Sequence, residues 1–241
     1  MAEAFRTLRT NIQFASVDRP LRVMLVTSSG PDEGKSTVSA NLSAALAQAG
    51  QRVLLINGDL RRPSLHRVLG CTDRIGLTNV LLGQASITEA VQETSVPNLY
   101  FLGSGPLPPN PAEVLGSQSM DQLLAQVKAA YDMVVVDMPP VVALADAAIL
   151  APRVDGVLLV VRAGRTNKEA ARQAVAMLQR VRAHLLGVVL NDIDLKSSRY
   201  GYYYYYYYTE ERSGAQQAAA TTETAGEEIK SRTRHKKEER P

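Results

Sequence analysis

The chain has 241 residues, 45% of them hydrophobic and 21% charged, with one cysteine, no tryptophan and a formal net charge of +3. That composition fits a globular protein with a sizeable core and excludes disordered, collagen-like and disulfide-built chains; the lone Cys71 has no internal partner and suits a reducing compartment. No apolar run approaches the roughly 18 to 20 residues that cross a bilayer, and the opening MAEAFRTLRTNIQ is amphipathic, unlike the apolar stretch of a signal peptide.

In chain order, Glu3, Arg6 and Arg9 come first, spaced by three as on one face of a helix. Such a stripe serves solvation as readily as contact with another subunit. Five short aliphatic stretches follow: RVMLVTS from Arg22, RVLLING from Arg52, DMVVVDMPP from Asp132, GVLLVVRAG from Gly156 and LLGVVLND from Leu185. Each is nearly continuous in hydrophobicity, the pattern of strands buried on both faces of a parallel sheet. Helical segments separate them. Ser36 to Ala49 ends at Gly50, a residue suited to the left-handed position after a helix, and Asn167 to Leu185 opens on an N-cap asparagine. Residues 63 to 118 are less regular, with the turn-rich GSGPLPPNP, and imply short helices, a strand near Leu99 to Leu102 and a long loop. The fold class is α/β, a doubly wound and mostly parallel sheet.

Between the first strand and the first long helix lies Ser29-Gly30-Pro31-Asp32-Glu33-Gly34-Lys35-Ser36-Thr37, a Walker A pattern with serine in place of the first glycine. Small residues and Gly34 let backbone N–H groups turn around phosphate oxygens, and the following helix presents its positive end to them. Lys35 is placed to reach the β- and γ-phosphates, and the Ser36 hydroxyl to ligate Mg²⁺. Asp137 ends the apolar run MVVVD, which puts a carboxylate on the same rim of the sheet. It is a candidate Mg²⁺ holder, directly or through water, although strand-ending turns also favour aspartate. Asp59 stands two positions after Asn57, so both side chains point to one side if the strand continues. The alternative for Asp59 is a solvated turn before Pro63. Asn191 ends the last strand at this rim, where its amide offers a donor and an acceptor to an adenine edge or simply terminates the strand.

Composition changes near residue 195. Eight of the ten tyrosines, Tyr200 and Tyr202, Tyr203, Tyr204, Tyr205, Tyr206, Tyr207 and Tyr208, form one cluster. Residues 209 to 241 then carry seven acidic and seven basic groups without apolar periodicity, the composition of a flexible tail. Contiguous tyrosines would put rings and hydroxyls on both faces of a core strand, so the cluster is either a sticky low-complexity segment or a set of acceptor hydroxyls. About ten residues separate Asp194 from its middle, an extended reach of about 33 to 36 Å. The divisions are residues 1–20, an N-terminal helix for oligomerisation; 21–195, a nucleotide-binding domain; and 196–241, a flexible tail. The basic end of the tail is mixed with Glu238 and Glu239 and has no interleaved aromatics, which argues against nucleic acid.

Together these motifs resemble the bacterial protein-tyrosine kinases of capsule and exopolysaccharide biosynthesis, a family of P-loop NTPase fold. The likeness runs from Glu3 to Tyr208. It implies that the segment from Asn57 is a Walker A′ motif, that the segment ending at Asp137 is Walker B, and that Asp59, Asp137 and Ser36 attend the metal. It further implies that Lys35, Asp59 and Asn57 are catalytic, that Glu3, Arg6 and Arg9 mediate ring-like oligomers, and that the tyrosine cluster is autophosphorylated, with ATP and Mg²⁺ as cofactors. Implied partners are a membrane-anchored activator or a removed N-terminal membrane portion, and a phosphotyrosine phosphatase, with the chain at the cytoplasmic face of the membrane. Two alternatives stand beside this. Asn57 replaces the family's usual aspartate, as suits a slow enzyme or a nucleotide-gated ring scaffold; a positioning-type ATPase shares the motifs, but its extra lysine would fall at Gly30.

Overall fold

In the computed structural model, residues 2–15 and 20–194 are described; the tyrosine cluster and the charged segment after it lie outside them. The chain divides into two units, Met1–Asp192 and Ile193–Pro241, and the fold below is that of the first. Its strands are β1 (Val23–Ser28), β2 (Val53–Asn57), β3 (Val91–Glu93), β4 (Leu99–Leu102), β5 (Met133–Asp137), β6 (Gly156–Arg162) and β7 (Leu185–Asn191). Its helices are α1 (Ala2–Ala15), α2 (Lys35–Ala47), α3 (Leu65–Leu69), α4 (Leu77–Leu81), α5 (Ile87–Ala90), α6 (Pro111–Leu115), α7 (Gln118–Ala130), α8 (Asp146–Leu150) and α9 (Lys168–Arg180).

The sheet order is β3-β4-β2-β5-β1-β6-β7, parallel except for the antiparallel edge pair β3 and β4. Every residue of β1, β2 and β5 is buried, which explains their unbroken apolar runs. One core lies on the α2 side and holds Met24, Val26, Leu42, Leu46, Leu55, Phe101 and Val135. The other lies beneath α7 and α9 and holds Leu25, Leu54, Leu123, Val134, Leu159 and Leu178. Burying one such side chain contributes about 1.5 to 3 kcal/mol, so the two layers fix the sheet firmly against its helices. Parallel strands then carry their C-terminal ends, and the turns after them, to one rim.

Three expectations differ in detail. The helix expected over Asn167 to Leu185 stops at Arg180: Asn167 caps it, accepting from Glu169 N at 2.8 Å, and the chain turns at Arg182 (φ 57°) to begin β7. The irregular middle segment contributes β3 as well as β4, and α7 follows it with a serine cap from Ser117. Arg9 does not continue the face of Glu3 and Arg6. Those two pair at 2.7 Å in solvent, whereas the Arg9 guanidinium donates to Ala45 O at 3.0 Å at the C-terminal end of α2. A step of three residues falls about 60° short of a helical turn, so after two steps the third charge has swung to the core side.

Candidate nucleotide site

The rim is built around the turn from β1 into α2. Ser28 leaves the sheet, and Gly34 sits in the left-handed region at φ 89° before α2 begins at Lys35. A Cβ at Gly34 would collide with the Asn191 side-chain nitrogen, so glycine is required there for conformation and for space. Asp32 also has positive φ, 57°, a conformation aspartate tolerates better than most residues. The Glu33 carboxylate folds back on the start of the loop: it accepts from Ser29 N (2.8 Å), Gly30 N (3.0 Å) and Ser29 Oγ (2.7 Å), and from Thr166 Oγ1 (2.6 Å) beyond β6. Pro31, Asp32 and Thr37 are exposed around it.

Lys35, the first residue of α2, turns its amine into the rim. Its Nζ lies 2.9 Å from Asp59 Oδ2, 3.4 Å from Asp137 Oδ2 and 3.2 Å from Ser36 Oγ. Ser36 Oγ donates to Asp137 Oδ2 at 2.6 Å, and Ser39 Oγ, one turn further along α2, reaches Asp137 Oδ1 at 3.1 Å. Burial pushes the Asp137 carboxyl above the usual carboxylate range despite Lys35, Ser36 and Ser39, with Asp59 adding to the rise. Burial alone would lower Lys35, but Asp137 and Asp59 together hold it above the ordinary lysine value, so it is a firm cation.

Asp59 is fixed by its own turn, with Oδ1 accepting from Arg62 N at 3.0 Å and from Arg61 N at 3.3 Å. The turn is pinned by Arg61, which forms a fork with the fully buried Asp146 of α8 at 2.7 and 3.0 Å. Asn57 is level with Asp137 across the β2–β5 pair and 0% exposed, and among the described residues neither of its amide atoms has a partner. A buried, unsatisfied amide beside a buried carboxylate is the mark of a polar site built for something more than protein. The hydroxyl and carboxylate oxygens of Ser36, Asp59 and Asp137 suit a hard cation such as Mg²⁺, which takes one or two carboxylates and completes its shell with phosphate and water. Among the described residues no group of three or more His, Cys, Asp or Glu forms a cage for a metal.

The rim thus brings Ser29 to Thr37, Asp59, Asp137, Asn57 and Asn191 together, with Asn191 Nδ2 donating to Glu33 O at 3.0 Å. Ser39, Arg61, Asp146, Arg162 and Thr166 join them without having stood out in the sequence. Arg162 was the most accessible of these, a charge closing a buried strand at this same rim.

This chain is 48% identical over 202 residues to the tyrosine-protein kinase YwqD of Bacillus subtilis (strain 168), covering 83% of the chain and 85% of YwqD. It belongs to the bacterial tyrosine-protein kinase family. The kinase domain of the Escherichia coli tyrosine kinase ETK superposes with a TM-score of 0.79 at 34% identity, over 82% of this chain and 77% of that one. Within the wider ParA grouping, described as NUBPL iron-transfer P-loop NTPase, the family profile matches residues 21–239. A more distant relation is the septum site-determining protein MinD of Pyrococcus horikoshii OT3 complexed with Mg-ADP, with a TM-score of 0.60 at 28% identity over 70% of each chain. Family membership establishes a P-loop nucleotide-binding fold. Among the described residues no helix is long and apolar enough to cross a membrane.

Proposed function

We propose that this chain is an ATP- and Mg²⁺-dependent protein-tyrosine kinase that phosphorylates its own C-terminal tyrosines, in trans, and thereby regulates capsule or exopolysaccharide polymerisation or export. The observation that carries the reading is the Lys35 amine held between Asp59 and Asp137 at the base of the phosphate loop. Phosphoryl transfer needs positioning and charge neutralisation more than covalent chemistry, and this rim offers both. Lys35 is the cation for the β- and γ-phosphates. Ser36 and Asp137, with Asp59, would hold the metal, which when bound supplies charge neutralisation across the terminal phosphates.

The acceptor tyrosine oxygen forms its bond to the γ-phosphorus as the bond from that phosphorus to the bridging oxygen breaks. ADP leaves with the electron pair, and the phenolic proton passes to Asp59 or to water. Asn57 is neutral and accepts no proton, so one candidate general base is missing and the enzyme is slow. The same residue favours a second reading, a nucleotide-gated ring scaffold with weak catalysis. The assembly would use the exposed Glu3–Arg6 pair, with Arg9 bracing α1 onto α2.

Eight phosphotyrosines would add roughly −12 to −16 charges, which favours dissociation by repulsion. A membrane-anchored activator would bring the kinase to the inner face of the membrane, and a phosphotyrosine phosphatase would reset it. Incubation of pure protein with Mg-ATP, followed by mass mapping and light scattering, tests the reading. Phosphotyrosine between Tyr200 and Tyr208 with a fall in mass supports it; nucleotide turnover without phosphotyrosine leaves the scaffold or a positioning ATPase.

A further inference from the structure

Two peptide groups of the phosphate loop are held from outside the loop. The carbonyl of Asp32 accepts from Arg162 Nη1 at 3.2 Å, and the carbonyl of Glu33 accepts from Asn191 Nδ2 at 3.0 Å. Arg162 ends β6 and Asn191 ends β7, more than a hundred residues along the chain from the loop, so neither contact is an accident of local sequence. The two anchors are themselves tied. Arg162 Nε donates to Asp192 Oδ2 at 2.8 Å, next to Asn191, and the Arg162 backbone N–H donates to Thr166 Oγ1 at 2.7 Å, which in turn holds the Glu33 carboxylate.

The consequence follows from peptide geometry. No peptide bond here is cis, and in a planar trans peptide the C=O and the N–H point in opposite directions. Fixing the Asp32 carbonyl outward, toward β6, aims the Glu33 N–H inward; fixing the Glu33 carbonyl toward β7 aims the Gly34 N–H inward. Among the described residues neither of these N–H groups donates to a protein acceptor, and the flanking positive φ of Asp32 and Gly34 is the alternation that makes an anion-binding concavity.

We propose that Asn191 and Arg162 are positioning residues of the phosphate loop: by holding the carbonyls of Glu33 and Asp32 they present the N–H groups of Gly34 and Glu33 to the phosphates of the nucleotide. Asn191 then acts on the phosphates through a peptide group: its donor is engaged by Glu33, and any contact with the base is left to its Oδ1. This inference rests on the nucleotide-binding reading of the rim.

The test separates the two. Affinities of the full chain for Mg-ADP and Mg-CDP, which share the diphosphate and differ in the base, are measured by calorimetry for the wild type, Asn191→Ala and Arg162→Ala. Hydrogen bonds to charged groups are the strong ones, and a misaimed donor should weaken binding about tenfold or more. The inference expects that loss for both nucleotides alike, with the ADP-to-CDP ratio kept within about twofold and the unliganded unfolding temperature unchanged within a few degrees. Asn191→Ala is the decisive variant because it removes no charge. A loss confined to ADP would make Asn191 a reader of adenine and overturn the inference. So would unchanged affinities, or a loss that appears only where both variants lose their unliganded fold. Wild-type protein that binds neither nucleotide would instead bring down the nucleotide reading, and the inference with it.

Discussion

The two ends of the sheet treat their carboxylates in opposite ways. At the N-terminal ends of the strands, Asp155 accepts from Val23 N at 2.8 Å, Arg22 N at 2.9 Å and Lys128 Nζ at 2.6 Å, and Asp132 accepts from Arg52 N at 2.8 Å. The Arg52 guanidinium lies over the rings of Tyr100 and Tyr131 at 5.3 and 5.1 Å. Burial would raise Asp155, but the hydrogen bonds from Lys128, Val23 and Arg22 win and hold its carboxyl below the usual range. At the C-terminal ends, Asp59 and Asp137 share the single amine of Lys35, the Asp137 carboxyl is raised, and Asn57 has no partner among the described residues. One end is finished by the protein's own hydrogen bonds; at the other, two carboxylates share one amine, which suits the addition of a cation.

Neutralising a carboxylate at each end should therefore have opposite consequences. Asp137→Asn is expected to cost about 10²-fold or more in phosphorylation rate, through loss of metal holding and electrostatic support. It should not lower the unfolding temperature of the nucleotide-free protein. The folded pKa of Asp137 lies above its unfolded value, so ionising it in place costs stability at pH above that folded value, and the variant escapes the cost. Below about pH 4, where both states hold the proton, that advantage disappears. Thermal melts across pH, paired with rate measurements, check both halves.

Asn57→Asp should sharpen the contrast from the other direction. Restoring a base is expected to raise the initial rate at least about tenfold, a small part of what a positioned base contributes. It also sets a second carboxylate beside Asp137 on the neighbouring strand, about 4.8 Å away between strands, so the unliganded variant should melt lower and regain more on adding Mg²⁺ than the wild type. Asn57-Gly58 is prone to deamidation, so fresh protein with its intact mass verified is the comparator. Equal rates would show that position 57 carries no base.

The smallest effect belongs to the other end. Asp155→Asn should lower stability by about 1 to 2 kcal/mol, or roughly 2 to 8 °C for a chain of this size, and leave phosphorylation unchanged. The folded pKa of Asp155 is depressed, so its contribution is present above about pH 4 and is lost as pH falls through the folded value. The gap between variant and wild type should close in acid.

Much of this is legible in the amino-acid sequence. Five of the strands announced themselves because residues buried on both faces leave no polar alternation, and the phosphate loop is a local string between a strand and a helix. What escaped was short or non-local. The three residues of β3 are half-exposed at an edge and carry no pattern. Arg162 and Thr166 meet the loop across sequence separations of 130 and 133 residues, which no spacing rule reaches. The side of α1 that Arg9 faces depends on helical drift and on where the C-terminal end of α2 lies, so three regularly spaced charges were separated by the fold.

On the proposed reading the rim transfers phosphate to tyrosine, with Lys35 as the cation on which transfer depends. Its most direct test is phosphotyrosine formation by Lys35→Met beside the wild type, under the same Mg-ATP conditions, with folding verified by circular dichroism. Phosphotyrosine is expected in the wild type, with a loss of at least about 10²-fold in the variant, whose fold is retained. Phosphorylation at the wild-type rate in folded Lys35→Met protein would contradict it.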